Sequence, residues 1–380
     1  MLLNEKYTNG NSLAAEMVDE FCALARIDAE SGREGELSNV VAAKLEDLGL
    51  EVARDDAGRR FGGETGNVIG RLPGQMGGEP ILLCAHLDRV APGCGIQPVV
   101  LGDRIVSSGD TVLAADDIVG VVAILAGMRL ALAECVDLPP IEVVFTVSEE
   151  NGLAGAKHMD YSAVRSKTGY VLDAARPVGT VVLRSPTHIG LEVAIHGRAA
   201  HAGINPEEGI SALQIAADSL MRIPFGKVDD HTTANMGVVK GGHATNIVCE
   251  HVDLSGEVRS LDHPRALRLA EELAECFRKT AAAHGGSAEV SISIHYPGYR
   301  IDSDSQVALR VQSALSRLGR STVFESSMGG SDANMFNSHG IESVCLGVGF
   351  EQVHSCRESV AISELVVAAG LVRQLVASEG

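Results

Sequence analysis

The chain of 380 residues is long enough for two domains, and its hydrophobic fraction of 45% supplies apolar material for a core in each. A formal net charge of −19 argues against a nucleic-acid partner, because such proteins need a basic surface to contact phosphates. No uninterrupted apolar stretch has the length of a membrane span, and the first ten residues lack the apolar core of a signal peptide. We therefore expect a cytoplasmic protein that binds neither nucleic acid nor membrane.

The first half of the chain alternates helical periodicity with short apolar runs. The pattern predicts helices over residues 14–27, 37–48 and 120–133, followed by a buried strand over residues 141–147. Such alternation is typical of a parallel or mixed sheet with helices on both faces. We therefore expect an α/β domain of three layers built on a mixed sheet.

From residue 188 the order of the predicted elements changes. It becomes strand, helix, strand, strand, helix, strand, over residues 189–195, 208–221, 234–239, 250–259, 264–284 and 288–295. This order is that of the ferredoxin-like α+β unit, a small sheet with two helices on one face.

The α/β pattern resumes after residue 297. A helix, a strand and a last helix are predicted over residues 305–318, 344–348 and 362–377. The simplest account is a discontinuous domain of residues 1–185 and 298–380, with a compact domain of residues 186–297 inserted into it.

Five acidic and histidine clusters carry most of the functional signal: His86-Leu87-Asp88, Asp116-Asp117, Glu149-Glu150, Asp173 and His354. Four of them follow or lie near the end of an apolar run typical of a buried strand, at residues 81–85, 143–147, 170–172 and 344–348. In open α/β sheets the functional site lies at the carboxyl ends of the strands. Imidazoles and carboxylates are ligands that Zn²⁺ prefers, so the pattern predicts a metal site.

The first cluster has a structural alternative. His86 and Asp88 are two residues apart at a strand end, so both side chains point to the same face and reach one cavity. Each taken alone is also consistent with an ordinary role, His86 as a hydrogen-bonded core residue and Asp88 as the start of a turn.

The two acidic pairs also allow two interpretations. Asp116 and Asp117 precede an apolar helix, where one serves as an N-cap and the other faces the helix dipole, or where a carboxylate bridges two cations. Glu149 and Glu150 follow a strand, and adjacent carboxylates repel unless a cation lies between them or one holds a proton. One can bind a metal while the other acts as general base on water; the alternative is a solvated loop.

The sequence resembles the M20 metallopeptidases, and within them the peptidase T-like branch. The matching segments occur in the family's order and cover nearly the whole chain: Ala85-His86-Leu87-Asp88, Ala114-Ala115-Asp116-Asp117, Val147-Ser148-Glu149-Glu150-Asn151-Gly152, Leu172-Asp173, Gly197-Arg198-Ala199-Ala200-His201-Ala202-Gly203, Gly256-Glu257-Val258-Arg259, Gly329-Gly330-Ser331-Asp332 and Val353-His354-Ser355. The resemblance implies a di-metal exopeptidase fold whose inserted domain is a lid through which family members commonly dimerise.

The resemblance also implies a set of metal ligands. His86 and Asp173 would bind one divalent ion, Glu150 and His354 the other, and Asp116 would bridge the two. The ions would be Zn²⁺ by default, although Co²⁺ or Mn²⁺ suits the same ligands.

Two further residues near the metals receive roles from the resemblance. Asp88 would orient the imidazole of His86, and Glu149 would be the general base. In this family the peptide bond after the bridging aspartate is usually cis, which here is the bond between Asp116 and Asp117.

Residues of the inserted domain are implied in substrate binding. His201 would stabilise the oxyanion, or is a surface or interface histidine. Arg259 would bind a substrate carboxylate, or pairs with Asp262. Asn246 would contact substrate, or has a role in a turn between strands.

The Gly329-Gly330 segment permits close approach of a ligand to the backbone. Two positions depart from the tripeptidase pattern. Met328 stands where tripeptidases of the peptidase T kind usually have arginine, and Ile118 stands where a lysine often follows the aspartate pair.

Three functions remain open. The first is a two-metal aminopeptidase that acts on short peptides as a homodimer. The second is an M20-type amidohydrolase that removes an N-acyl group, or a carboxypeptidase. The third is a non-catalytic dimeric binding protein with the same fold, against which the intact Glu149 and the complete ligand set argue.

Overall fold

A computed structural model describes residues 10–134 and 137–377 of the chain. The chain folds into two compact units. Of the described residues, the first unit contains 10–134, 137–183, 300–326 and 331–377, and the second contains 184–299 and 327–330. The first unit is therefore assembled from separate stretches of the chain.

The α-helices of the described residues are α1 (Gly10–Ala25), α2 (Gly35–Asp47), α3 (Ala57–Phe61), α4 (Ala115–Ala133), α5 (Ala154–Lys157), α6 (Ala212–Arg222), α7 (His263–Ala283), α8 (Gln306–Arg317), α9 (Asp332–Ser338) and α10 (Ile362–Val376). Each of these helices that is longer than ten residues overlaps a helix predicted from the sequence, so those predictions are confirmed. The short helices α3, α5 and α9 were not predicted.

The strands are β1 (Glu51–Arg54), β2 (Val68–Leu72), β3 (Ile81–His86), β4 (Pro98–Leu101), β5 (Arg104–Ser107), β6 (Ile141–Thr146), β7 (Thr168–Ala174), β8 (Thr180–Ser185), β9 (Thr187–His196), β10 (Gly226–Asp229), β11 (Thr232–Gly241), β12 (His251–Ser260), β13 (Ser287–Tyr296), β14 (Tyr299–Arg300), β15 (Val323–Ser326), β16 (Glu342–Gly347), β17 (Phe350–Glu351) and β18 (Ser359–Ala361).

The main sheet of the first unit has the order β1-β2-β6-β3-β7-β16-β8-β14, with β15 paired to β8. Strand β3 is parallel to both β6 and β7, and β7 is parallel to β16, whereas β2 pairs antiparallel with β6. The sheet is therefore mixed, as predicted. Every residue of β3 and β6 is buried, as expected for strands covered on both faces.

Helix α4 forms the centre of the first unit. Its residues from Ile118 to Met128 are all buried, because an apolar surface on every side of a helix requires partners on every side. It packs against α1, α10 and β3. This packing places the amino end of α4 beside the carboxyl end of β3.

A second, smaller sheet in the same unit has the order β17-β18-β5-β4 and was not predicted. Its strands are only two to four residues long, too short for an alternation of apolar and polar residues to stand out. The loop between β17 and β18 carries His354.

The second unit is an antiparallel sheet of order β10-β11-β12-β9-β13 with α6 and α7 on one face. Alternate residues of β9 and β12, including Ile189, Leu191, Val252 and Leu254, point into the core with these helices. The ferredoxin-like order is confirmed, with β10 as an additional edge strand. Within residues 10–134 and 137–377, every helix is too short or too polar to cross a membrane.

Candidate metal centre

Three neighbouring parallel strands bring the acidic and histidine clusters to one edge of the main sheet. His86 ends β3, Asp173 lies near the end of β7, and Glu149 follows β6 by a few residues. Because these strands are adjacent and parallel, their carboxyl ends meet at the same edge. Asp116 reaches it from the start of α4, and His354 from the loop after β17.

The carboxylate of Asp116 lies between the two imidazoles. Its Oδ1 is 3.0 Å from Nε2 of His86, and its Oδ2 is 3.3 Å from Nε2 of His354. Nε2 of His354 is also 2.9 Å from Oε1 of Glu150, and Nε2 of His86 is 3.6 Å from Oδ1 of Asp173. The structure thus brings together five side chains from distant parts of the chain, with Asp116 in the middle.

The orientation of His86 is set from the opposite side of its ring. Nδ1 lies 3.0 Å from the carbonyl oxygen of Asp88, which only accepts, so Nδ1 carries a proton and Nε2 is the ring atom that could bind a metal ion. The Asp88 carboxylate is farther from Nδ1, at 3.4 Å. It accepts hydrogen bonds from the hydroxyl of Ser31 and from the backbone N–H groups of Glu149 and Glu150. Asp88 therefore orients His86 mainly through its backbone, while its side chain holds the two glutamates in place.

The neighbouring carboxylate of Asp117 has a different environment. It is fully buried, its Oδ2 accepts from the backbone N–H of His86, and its Oδ1 accepts from the N–H of Gly120 in the first turns of α4. The Asp116–Asp117 peptide bond is cis, which confirms the expectation from the resemblance.

Two groups of side chains could each hold a metal ion. Within each group the ligand atoms all lie within 4.8 Å of one another. One contains His86, Asp117 and Asp173, and the other contains His86, Asp116 and Glu150. Backbone N–H groups already occupy both oxygens of Asp117, whereas the two oxygens of Asp116 each face an imidazole.

The buried carboxylates carry more negative charge than the site can balance by itself. Burial raises the pKa of Asp173 to about 8. Burial also raises the pKa of Glu149 well above its ordinary value, and the nearby charge of Asp173 adds to that effect. No described residue donates a hydrogen bond to the carboxylate of Glu149. A divalent cation would relieve this repulsion, so the donor set fits a metal ion.

The pKa values of the two imidazoles are raised as well, because carboxylates surround them. Hydrogen bonds to Asp116 and Glu150 raise the pKa of His354 to about 10. Burial by itself would lower the pKa of His86, but its carboxylate partners, first among them Asp116, outweigh burial and raise that pKa well above the usual range. Protons therefore occupy positions that a cation would take.

Glu358 supports the site, although no motif in the sequence marks it. Its buried carboxylate accepts hydrogen bonds from the backbone N–H groups of Leu113 and Ala114, at 2.7 and 2.9 Å, and of Asp116, at 2.9 Å. These contacts hold the segment that carries Asp116. Glu34 likewise accepts from the N–H and the hydroxyl of Ser148 just before the glutamate pair. Neither Glu358 nor Glu34 belongs to a sequence motif. Their supporting role is seen only in the structure, from their burial and their hydrogen bonds.

In the second unit, Arg259 has a partner that was not anticipated. Its Nε and Nη2 each donate to Glu257, at 3.0 Å, and Nη1 lies 3.4 Å from the carbonyl oxygen of Met328. Asp262, the alternative partner considered from sequence, instead caps α7 by accepting from the N–H of Arg265. The suggested Arg259–Asp262 pair is therefore wrong.

The other residues expected to bind substrate lie in exposed segments of the second unit. His201 accepts a hydrogen bond from the N–H of Gly203 through Nδ1, and the carbonyl of Asn246 accepts from the N–H of Ala202. The carbonyl of Gly329 accepts from the hydroxyl of Ser185.

Gly330 has a close neighbour within its own unit. A Cβ atom there would lie 2.3 Å from the ring of Tyr296, so this aromatic ring is what approaches the Gly330 backbone.

Carboxylates crowded around two imidazoles at the strand ends of an α/β sheet are characteristic of metal-dependent hydrolases. Comparison with known proteins defines the class more narrowly. Residues 185–285 match the model of the peptidase dimerisation domain of M20 enzymes, and residues 67–183 match that of peptidase family M28. The chain is 39% identical to the uncharacterized protein YqjE of Bacillus subtilis over 94% of this chain and 96% of that protein.

Two solved structures are similar over almost their whole length. The aminopeptidase PepT of Bacillus cereus is 38% identical, with a TM-score of 0.89 over 96% of this chain and 98% of that one. A tripeptidase of Staphylococcus aureus is 35% identical, with a TM-score of 0.92 over 96% and 97% of the two chains. The chain belongs to the M20 family of metallopeptidases, in its peptidase T-like branch, and is therefore a hydrolase of peptide bonds.

Proposed function

We propose that the protein is a two-metal aminopeptidase that releases N-terminal residues from short peptides. The observation that carries this proposal is the position of Asp116, whose two carboxylate oxygens each face a different imidazole. A carboxylate placed in this way suits two cations better than one. The similarity to an aminopeptidase and a tripeptidase supports the choice of substrate.

The same geometry supports the ligand assignments that the resemblance implied. His86 and Asp173 would hold one ion, Glu150 and His354 the other, and Asp116 both. Bound divalent ions, Zn²⁺ by default, would supply Lewis acidity and lower the pKa of water.

Glu149 is the residue we assign to proton transfer. In our proposal it accepts a proton from the attacking water and returns it to the leaving amine. The carboxylate of Glu149 supports that role, because no described residue donates a hydrogen bond to it and it can accept a proton and later return it. The backbone of Glu149 is held by Asp88, which keeps the side chain in a constant position.

Residues of the second unit would bind the rest of the substrate. We propose that Arg259 contacts a carboxylate of the peptide, that Asn246 and the backbone at Gly329 and Gly330 line its path, and that His201 stabilises the oxyanion. The match of residues 185–285 to a dimerisation domain supports a homodimer formed through this unit. In the same proposal, residues 1–185 and 298–380 are the catalytic domain, residues 186–297 are the lid, and the enzyme acts in the cytoplasm.

The test is an assay of the purified protein, stripped of metal and reloaded with Zn²⁺, Co²⁺ or Mn²⁺. The substrates are di- and tripeptides, the same peptides with an acetylated N-terminus, and N-acyl amino acids, and the readout is released amine. Metal-dependent cleavage confined to peptides with a free N-terminus is the expected result. Cleavage confined to blocked amines would replace the proposal with an acylase activity, and absence of turnover with metal bound would favour a binding protein.

A further inference from the structure

Arg259 is held by another residue of its own strand. Glu257 lies two positions earlier in β12, on the same face, and its two carboxylate oxygens accept from Nε and Nη2 of Arg259 at 3.0 Å each. A guanidinium has five N–H donors, of which this contact uses one edge. On the opposite edge, formed by Nη1 and Nη2, the contacts that Nη1 makes with described residues are long, 3.5 Å to the hydroxyl of Tyr296 and 3.4 Å to the carbonyl of Met328.

His188 contacts the same carboxylate. Its Nε2 is 2.9 Å from Oε2 of Glu257, and in the sheet it is the direct cross-strand neighbour of Arg259. The side chain of His188 is only 13% exposed, compared with 27% for Arg259 and 35% for Glu257, so it is the most closely packed of the three.

A glycine makes this arrangement possible. Gly190 lies opposite Glu257 in the neighbouring strand, and a Cβ atom there would be 2.3 Å from Nε2 of His295. The ring of His295 therefore occupies the space above Gly190, with its centroid 4.6 Å from that of His188. The ring of His188 is thus fixed on one side by His295 and on the other by Glu257.

We propose that Glu257 is a positioning residue, which with His188 holds Arg259 so that its Nη1/Nη2 edge receives the C-terminal carboxylate of a peptide. This inference rests on the proposed function, in which Arg259 contacts a substrate carboxylate. Two carboxylates on one guanidinium repel each other, and the contact of the His188 Nε2 with Oε2 of Glu257, at 2.9 Å, helps to hold the Glu257 carboxylate beside the guanidinium. A long side chain already fixed in one rotamer loses less entropy when the substrate binds.

Glu257 could instead hinder substrate binding, and the Glu257→Gln variant would then bind carboxylates more tightly. If Glu257 competed with the substrate for the guanidinium, its removal would strengthen the binding of carboxylates. The two roles can therefore be separated by the sign of one measurement.

The experiment compares Glu257→Gln with the wild type in the metal-loaded enzyme, using trialanine and trialanine amide. We expect KM for the free acid to rise about tenfold, as for a weakened charge-assisted contact, with kcat unchanged and KM for the amide unchanged. Glu257→Asp, which keeps the charge, should restore part of the difference between acid and amide. His188→Asn should shift KM for the acid in the same direction by a smaller factor.

A matched control is available in the same sheet. The carboxylate of Glu192 accepts a hydrogen bond from the hydroxyl of Ser255 and does not contact Arg259. Glu192→Gln therefore removes one negative charge and should leave both KM values unchanged. A fall in KM for the acid in Glu257→Gln would overturn the proposal in favour of competition. Equal rises for acid and amide would overturn it in favour of a general structural role.

The Arg259→Ala variant shows whether a failure concerns the positioning role of Glu257 or the contact between Arg259 and the substrate carboxylate. If that variant binds acid and amide as the wild type does, the carboxylate contact itself is wrong and the inference fails with it. If Arg259→Ala abolishes the preference for the acid while Glu257→Gln retains it, only the positioning role is overturned.

Discussion

Glu358 accepts a hydrogen bond from the backbone N–H of Asp116, at 2.9 Å, across 242 positions of the sequence. The same carboxylate accepts from two further N–H groups, those of Leu113 and Ala114. A buried acid therefore fixes the segment that presents the central carboxylate of the site.

Glu358→Gln should weaken metal binding. The amide NH₂ of glutamine would face backbone N–H groups, so at least one of the three hydrogen bonds is lost and Asp116 is less well held. We expect affinity for Zn²⁺ to fall by about 10- to 100-fold, the usual effect of losing a group that supports a ligand. Competition with a chromogenic chelator measures it. Glu351→Gln, which removes an exposed carboxylate paired with Arg104, is the control, and equal affinities in the two variants would contradict the prediction.

Glu149→Gln should abolish turnover without loss of metal. Glutamine is close to glutamate in size but cannot accept the proton, so we expect kcat to fall by about 10²- to 10⁴-fold. The neighbouring variant Glu150→Gln should differ in metal content. Because Glu150 contacts His354, we expect this variant to lose metal. Metal content by mass spectrometry and steady-state kinetics are the two measurements. Substantial activity in Glu149→Gln would remove it from the role of base.

Metal affinity should rise steeply with pH. In the metal-free site the pKa of His354 is about 10, that of Asp173 is about 8 and that of His86 is well above its usual range, so at neutral pH a metal must displace protons. Raised pKa values mean that protons compete more strongly as pH falls. If one proton leaves each of these three groups, affinity changes about 1,000-fold for each pH unit below about pH 7. Calorimetry in buffers of different ionisation enthalpy counts the protons, and affinity independent of pH would contradict the account.

Gly330→Ala should destabilise the protein, whereas Gly329→Ala should not. A methyl group at 330 would lie 2.3 Å from the ring of Tyr296, while at 329 the nearest atom is the hydroxyl of Ser327, at 3.4 Å. Overpacking of this kind costs about 1–3 kcal/mol. Thermal unfolding followed by circular dichroism compares the two variants, and similar midpoints would mean that the Tyr296 ring moves aside without cost.

The main architecture could be predicted because its elements are long. Helix α4 and strand β3 are buried on all sides, and uninterrupted apolar runs of different lengths distinguish them in the sequence. The small sheet formed by β4, β5, β17 and β18 could not be predicted in the same way, since two to four residues do not establish a period.

Some residues of the candidate site could be predicted from a local sequence pattern, and others could not. His86 and Asp173 lie at strand ends, and all five acidic and histidine clusters could be singled out from the sequence itself. The resemblance to a family then implied which of these residues would share each ion. Glu358 and Ser31 act through hydrogen bonds to residues far away in the sequence, and no local pattern records such contacts. The Glu257–Arg259 pair was local and could have been noticed, because two residues at positions i and i+2 of a strand share a face.

The central claim is that Asp116 lies between two metal ions which together support peptide hydrolysis. The most direct test is to add Zn²⁺ to the metal-free enzyme and to follow tripeptide cleavage. We expect two ions to bind per chain, with His86→Ala and His354→Ala each retaining one and neither reaching wild-type turnover. Saturation of activity at one ion per chain, with a second ion neither bound nor required, would contradict the two-metal account.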